Sequence, residues 1–350
     1  MKSIKQLEKH WERDKQRIAE LDAKLDSIAE SDKATRSQLR QLRQEYHKHS
    51  HGDCTIPFCV NSQIIKTVIS DWTGIPHTRM DDDLKEKVHH LQHALQTRIV
   101  GQTQAQACLM QNIKQSLLEI NDPNNPMGVY LFTGPSGVGK TYTAQVVAEE
   151  VFGSREHMTL INLSEFKEAH KVSTLLGSPP GYVGFGRGGI LTEAVRRQPY
   201  HLVVFDEIEK AHPSIHEIFY QLFDHGKLTD SEGREIDFRH TIIIMTSNIG
   251  SEALMNLADD QRQTVPEALL TQLHDHFHDA FIGRLQLVPF YPLSEDEATR
   301  IVEMQFTALE ERIQQQRDCE MHIDREWIAK MLSHCDYRRY GAREFNKFIQ

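Results

Sequence analysis

The chain has 350 residues, enough for about two domains of ordinary size. Hydrophobic residues are 39% and charged residues 26%, which excludes a wholly disordered chain. The 40 basic and 50 acidic side chains leave a net charge of −10, which argues against a general nucleic-acid coat. No apolar run approaches the ~20 residues of a membrane span, so neither nucleic acid nor membrane insertion is expected. The opening segment MKSIKQLEKHWERDK has no apolar core of the secretory kind, and five scattered cysteines read as reduced thiols of a cytoplasmic protein.

Residues 1–50 carry a heptad seam. Ile4, Leu7, Trp11, Ile18, Leu21, Leu25 and Ile28 fall at spacings of three and four, with Asp14 as the one polar intruder between Trp11 and Ile18, and Leu39, Leu42 and Tyr46 keep the phase. The pattern predicts one long helix or a helical hairpin, packed on its own domain or reaching a partner as a coiled-coil arm. Residues 51–59 have no period and read as a linker. His49, His51, Cys54 and Cys59 lie close together there, but their spacing matches no standard zinc site, and a plain linker is the simpler reading.

From residue 60 the pattern becomes strand–helix alternation. Apolar runs at 128–133, 159–163, 201–205 and 241–246 suit buried strands, and helical patterns separate them. Such alternation predicts an α/β fold, a parallel sheet with helices on both faces. After Leu293 the reading is mostly helical and opens on Ser294-Glu-Asp-Glu297, a capping box. Farther back, His274 and His278 are expected on one face of a helix at i,i+4. No repeat of 20–50 residues is present.

The sequence Gly134-Pro135-Ser136-Gly137-Val138-Gly139-Lys140-Thr141 fits G-x-x-x-x-G-K-[ST] and stands between an apolar strand and a helical run. The glycines let backbone N–H groups turn toward phosphate oxygens, and the helix start adds partial positive charge. Lys140 is expected to reach the β- and γ-phosphates of ATP, and Thr141 to hold Mg²⁺. Asp206 and Glu207 end an apolar strand. The first acid can hold the Mg²⁺, and the second can orient and deprotonate water. Asn248 follows another strand and faces the ligand crevice of an open α/β sheet, or else simply forms a turn.

Ten stretches together resemble a AAA+ ATPase of the Clp/Hsp100 unfoldase group, second ATPase module. They are SDWTGIP (70–76), RIVGQ (98–102), GPSGVGKT (134–141), SEFKEAH (164–170), GSPPGYVGFGRGG (177–189), LTEAVRRQPY (191–200), VVFDEIEKAHP (203–213), GKLTDSEGREIDF (226–238), TSNIGS (246–251) and GRLQLVPFYPL (283–293). The wording of SEF-x-EAH, GSPPGYVG and IHEIFYQLFD is more similar to the ClpV branch, which serves type VI secretion, than to the ClpB disaggregases. The resemblance implies an AAA+ P-loop sheet at 60–292, a partial helical lid at 293–350, and a coiled-coil-like middle segment at 1–50.

It also implies roles. Lys140 and Thr141 match Walker A, Asp206 and Glu207 Walker B, and Asn248 sensor 1. Arg284 matches an arginine finger given to a neighbouring subunit, which implies a homo-oligomer, a hexameric ring in this family. Arg343 matches sensor 2, and Val100 and Gln102 the stretch along the adenine. Gly181, Tyr182, Val183 and Gly184 match the first pore loop, which grips a polypeptide substrate; 226–238 would form a second, hairpin-like one. Arg187 departs from the acid usual near that place. Sheath proteins are the implied client. The family's N-terminal domain and first ATPase module have no counterpart here, and the lid would stop early at Gln350. A nucleotide-binding remnant without turnover is therefore a further expectation.

Overall fold

The computed structural model describes residues 11–13, 15–16, 19, 62–73, 84–118, 120, 122–177, 188–257, 266–317, 325–345 and 347. The chain divides into two compact units, Met1–Ile69 and Ser70–Gln350. In the first unit the seam residue Trp11 is helical and 46% exposed. The other seam residues lie outside the described residues, as do 51–59 with Cys54 and Cys59. Helix α1 is Ser62–Thr73.

The second unit is built on one sheet. Its strands are β1 (Gly128–Thr133), β2 (Met158–Asn162), β3 (His201–Asp206), β6 (Thr241–Ser247) and β7 (Gln286–Pro289). They lie in the order β2-β3-β6-β1-β7, and every pairing is parallel. The expected runs thus form strands, because helices cover both faces and let a continuous apolar segment stay dry. β6, TIIIMTS, is buried at all seven positions.

Strand alternation sends side chains to two cores. Leu131, Val203, Phe205, Ile243 and Met245 enter one. Tyr130, Phe132, Leu202, Val204, Ile242 and Ile244 enter the other. The second core also takes Leu91 and Leu95 of α2 (Leu84–Arg98), Leu109 and Ile113 of α3 (Thr103–Leu117), and Val146 and Val147 of α4 (Lys140–Phe152).

β7 is a strand that the apolar runs did not predict. It is short, pairs only with β1 and ends in proline, all of which an edge strand tolerates. The first core is roofed by α5 (Ala169–Leu176), α6 (Ile190–Arg197) and α7 (Ser214–His225). An antiparallel hairpin, β4 (Lys227–Thr229) with β5 (Glu235–Asp237), stands apart from the sheet. Three helices follow: α8 (Ser251–Met255), α9 (Glu267–His276) and α10 (Asp279–Ile282). The expected i,i+4 pairing of His274 with His278 fails. α9 ends at His276 and His278 caps α10, while His274 Nδ1 pairs with Asp279 Oδ1 at 2.7 Å.

Beyond the sheet, α11 (Glu295–Arg317), α12 (Arg325–Ser333) and α13 (Tyr337–Tyr340) enclose a third core of Ala298, Val302, Phe306, Ile328, Met331, Leu332 and Phe345. The capping box forms as read: Ser294 N–H donates to Glu297 Oε2 at 2.8 Å, and Glu297 N–H to Ser294 Oγ at 3.3 Å. Among the described residues no helix is long and apolar enough to cross a membrane.

Candidate active site

Because all five strands are parallel, their carboxyl ends share one edge of the sheet, where ligands of open α/β folds bind. Three neighbouring strands deliver chemistry there. β1 runs into the glycine loop, β3 ends at Asp206, and β6 ends at Ser247, next to Asn248.

Residues 134–139 join β1 to α4. Gly134, Gly137 and Gly139 have φ of +143°, +76° and +103°. At Gly139 a Cβ would meet nothing within 4 Å, so the loop opens onto free space just where α4 begins. Gly139 caps α4 without any side-chain bond, and the first helical bond runs from Thr143 N–H to Gly139 O at 2.8 Å. The N–H groups before it have no acceptor within the helix.

Lys140 is the first residue of α4. Side chains of a helix lean toward its N-terminus, which folds the lysine back over the loop. Its Nζ donates to the carbonyl oxygens of Gly134 and Pro135 and, at 3.0 Å, to Asn248 Oδ1. The residue is only 9% exposed. Burial pushes its pKa down to about 8, against the opposing pull of the carboxylates of Glu209 and Asp206. Thr141 follows on the first turn of α4.

Asp206 Oδ1 accepts a hydrogen bond from Thr246 Oγ1, and the same Oγ1 accepts from Glu207 N–H at 3.2 Å. Thr246 therefore holds both acids in place from the neighbouring strand. Glu207 has φ of +59°, and among the described residues it shares a left-handed backbone only with Gln102 outside glycine. Such a conformation is costly for a residue with a Cβ and collects at functional sites. Glu207 Oε2 pairs with Lys210 Nζ at 2.9 Å. Glu209 accepts from Asn248 N–H at 3.3 Å through Oε1, while its Oε2 is buried without a hydrogen-bond partner.

The far side of the loop meets the helical region. Arg343 Nη1 donates to Ser136 Oγ at 3.1 Å, and Ala342 N–H to Gly137 O at 2.9 Å. The approach is so close that a Cβ on Gly137 would overlap the Tyr340 carbonyl oxygen. Val138 beside it is buried in the second core.

Arg284 is held elsewhere. Its Nε and Nη2 donate to Asp224 of α7 at 2.6 and 2.9 Å, its Nη1 to Ala280 O at 2.6 Å, and its guanidinium lies 5.4 Å from the Tyr220 ring centroid. That pairing raises the arginine's pKa and lowers that of Asp224.

Val100 lines a groove of about 480 Å³ with Val88, Ile99, Thr103 and Arg300. Gln102 does not present its side chain to a ligand: the amide exchanges two hydrogen bonds with the backbone of Tyr291, at 2.8 and 2.9 Å. Gly181, Tyr182, Val183, Gly184 and Arg187 lie outside the described residues.

Sequence reading overlooked Thr246, Glu209, Lys210 and Asp224. All four stood inside quoted stretches, but Thr246 and Asp224 show what they hold only when the strands and helices are placed.

The residues present fit a polyphosphate with a divalent cation. A buried ammonium bonded only to neutral oxygens, free N–H groups at a helix start and two tethered carboxylates are what such a ligand requires. The arrangement can bind the phosphates, polarise them and orient a water for attack.

The comparisons agree with this chemistry. A family model described as the AAA domain (Cdc48 subfamily) matches residues 125–288, and one described as the C-terminal, D2-small domain, of ClpB protein matches 293–350. The chain is 40% identical over 319 residues to the chaperone protein ClpB of Yersinia enterocolitica, covering 89% of this chain and 36% of that protein. It is also 40% identical over 337 residues to the AAA+ ATPase ClpV1 of Pseudomonas aeruginosa, covering 95% and 37%. ClpB of Dichelobacter nodosus is 40% identical over 292 residues, covering 83% and 34%. The chain thus spans a little over a third of the length of these curated relatives. A glycine loop at the carboxyl edge of a parallel sheet, a helical region seated on that loop and both family models lead to one statement: the chain belongs to the AAA+ Clp/Hsp100 family.

Proposed function

We propose that the chain is the ATP-hydrolysing module of a protein remodeller that works as a homo-oligomeric, hexameric ring in the cytoplasm. The observation that carries the reading is the convergence on Lys140. Its buried ammonium meets the glycine loop and Asn248, beside the strand end that bears Asp206 and Glu207.

In this reading residues 60–292 form the large ATPase subdomain and 293–350 the lid, with 1–50 a middle helical segment and 51–59 a linker. The backbone of residues 134–139 and the start of α4 hold the phosphates, Lys140 neutralises β- and γ-oxygens, and Val100 lies along the adenine. Thr141 and Asp206 hold Mg²⁺, which when bound draws charge from the transferred phosphoryl group. Glu207 takes a proton from the attacking water once it leaves Lys210, and Asn248 orients that water. Arg343 reports the γ-phosphate to the lid. Arg284 completes a neighbour's site, a contribution worth roughly 10³–10⁵ in rate in related phosphoryl-transfer enzymes. Gly181, Tyr182, Val183 and Gly184 grip a polypeptide, with the β4–β5 hairpin as a second grip.

We favour a ClpV-like module whose clients are type VI sheath proteins, since the likeness to ClpV1 extends over 95% of the chain. A ClpB-like disaggregase is the second reading. Identity to the Yersinia ClpB is also 40%, and the lid matches a ClpB domain.

The test is ATP turnover with Mg²⁺ across protein concentrations, beside Glu207→Gln. Turnover that rises more steeply than protein and vanishes in the variant supports a ring with shared sites. A folded chain that binds ATP without turnover sinks the hydrolysis reading and leaves a nucleotide-binding remnant.

A further inference from the structure

β7 is an edge strand, and its ladder to β1 closes with Phe290 N–H donating to Thr133 O at 2.7 Å. At the next residue the backbone faces the other way, where an edge has no strand to bond. Tyr291 is nevertheless only 4% exposed, so its N–H and C=O need partners.

Gln102 supplies both. Its Oε1 accepts from Tyr291 N–H at 2.9 Å and its Nε2 donates to Tyr291 O at 2.8 Å, across 189 residues of chain. A primary amide has the donor and acceptor of one peptide group. Gln102, itself 7% exposed, therefore stands in for a missing strand residue.

The position matters because Tyr291 lies where the sheet ends and the helical region begins. Leu293 is buried, and Ser294 caps α11. Two more contacts bind the same turn. Tyr291 OH donates to Gln104 Oε1 at 2.7 Å, and a Cβ on Gly101 would overlap the carboxylate of Glu297, the other half of the capping box. The turn that the proposed function lays along the adenine is thus fastened to the root of the lid.

We infer that Gln102 is a positioning residue that ties the lid hinge to the adenine turn and so sets how fast nucleotide leaves. The coupling half rests on the proposed ATPase reading; the tie itself does not. An untied hinge lets α11 swing with its lid, and lid opening limits product release in many enzymes. The left-handed backbone of Gln102 (φ +53°) offers a way to separate amide from backbone. Gln102→Gly relieves the conformation and loses the amide. Gln102→Glu keeps size and shape, but its carboxylate cannot donate to Tyr291 O.

Amide hydrogen exchange at Tyr291 would be measured in the nucleotide-free full chain, with β6 protection as the check on folding. Release of fluorescent ADP and GDP analogues would be followed in parallel. The expected result is exchange at least tenfold faster in Gln102→Gly, which loses the acceptor of Tyr291 N–H, and ADP and GDP released faster by a common factor of about five or more in both variants. Unchanged Tyr291 exchange in Gln102→Gly overturns the tie. Faster release of ADP alone would assign Gln102 to the base rather than the hinge and overturns the coupling. If the unsubstituted chain binds neither nucleotide, the ATPase reading and the coupling fail, while the exchange result still decides the tie.

Discussion

Lys140 is an ammonium buried where only neutral oxygens bond it, and that has a measurable consequence. Burial lowers its pKa from the ordinary 10.5 to about 8, whereas the unfolded chain keeps the ordinary value. Below pH 8 both states hold the proton and the folded chain bears the full cost. Between 8 and 10.5 the unfolded chain binds more protons than the folded one, so stability rises with pH. At 1.36 kcal/mol per pH unit the whole interval is worth about 3 kcal/mol, and the step from pH 8 to 9.5 about 2 kcal/mol. In a unit of this size that step raises the melting temperature by roughly 4–8 °C relative to a chain without the lysine. Thermal melts of the nucleotide-free chain and of Lys140→Met at pH 7.5 and 9.5 isolate it, because every other titrating group is common to both. The variant's stability relative to the unsubstituted chain should fall by that amount at the higher pH. Phosphate binding favours the charged lysine, so the affinity for ATP should weaken above pH 8. Parallel melting trends within about 1 °C would refute the reasoning.

Four other substitutions test the rest of the site. Glu207→Gln should cut turnover by roughly 10²–10⁴ while leaving ATP binding intact, as removal of a general base does. Arg284→Ala should lower turnover by ~10³ or more with nucleotide affinity within about twofold, and mixing it with Glu207→Gln chains should restore activity, since each supplies what the other lacks. Gly137→Ala places a Cβ against the Tyr340 carbonyl at φ +76°, and equilibrium titration should show ATP bound at least about tenfold more weakly as the lid loses its seat. Ser294→Ala removes the cap of α11 and should cost about 1 kcal/mol in denaturant unfolding.

Much of the architecture could be read in advance because its signals are local. A strand buried on both faces is a short apolar run, as 241–246 is. A capping box is four residues long, and a P-loop eight. What escaped is non-local or marginal. β7 is four residues long, begins at the exposed Gln286 and ends in a proline, and only its pairing with β1 makes it a strand. Gln102 looked like part of an adenine motif because it sits in RIVGQ; the partner that redefines its side chain is 189 residues away. Thr246 became visible as the link between Asp206 and Glu207 only when β6 lay beside β3.

The two cations of the proposed mechanism are prepared in opposite ways. Lys140 is readied by burial: desolvation makes the empty site unfavourable, and an arriving phosphate relieves it. Arg284 is readied by pairing. Asp224 takes two of its N–H groups, Ala280 O a third, and Tyr220 lies near the guanidinium. Within a single chain the arginine thus has a carboxylate for a partner. On the ring reading a neighbour's γ-phosphate must compete with Asp224 for the same planar fork, which binds either anion bidentately. A phosphate carries more charge than a carboxylate, so the exchange favours the neighbour while triphosphate is there and reverts after hydrolysis and phosphate release. The subunit contact would then be strongest in the ATP state, which makes the state of one site legible to the next subunit without any further moving part.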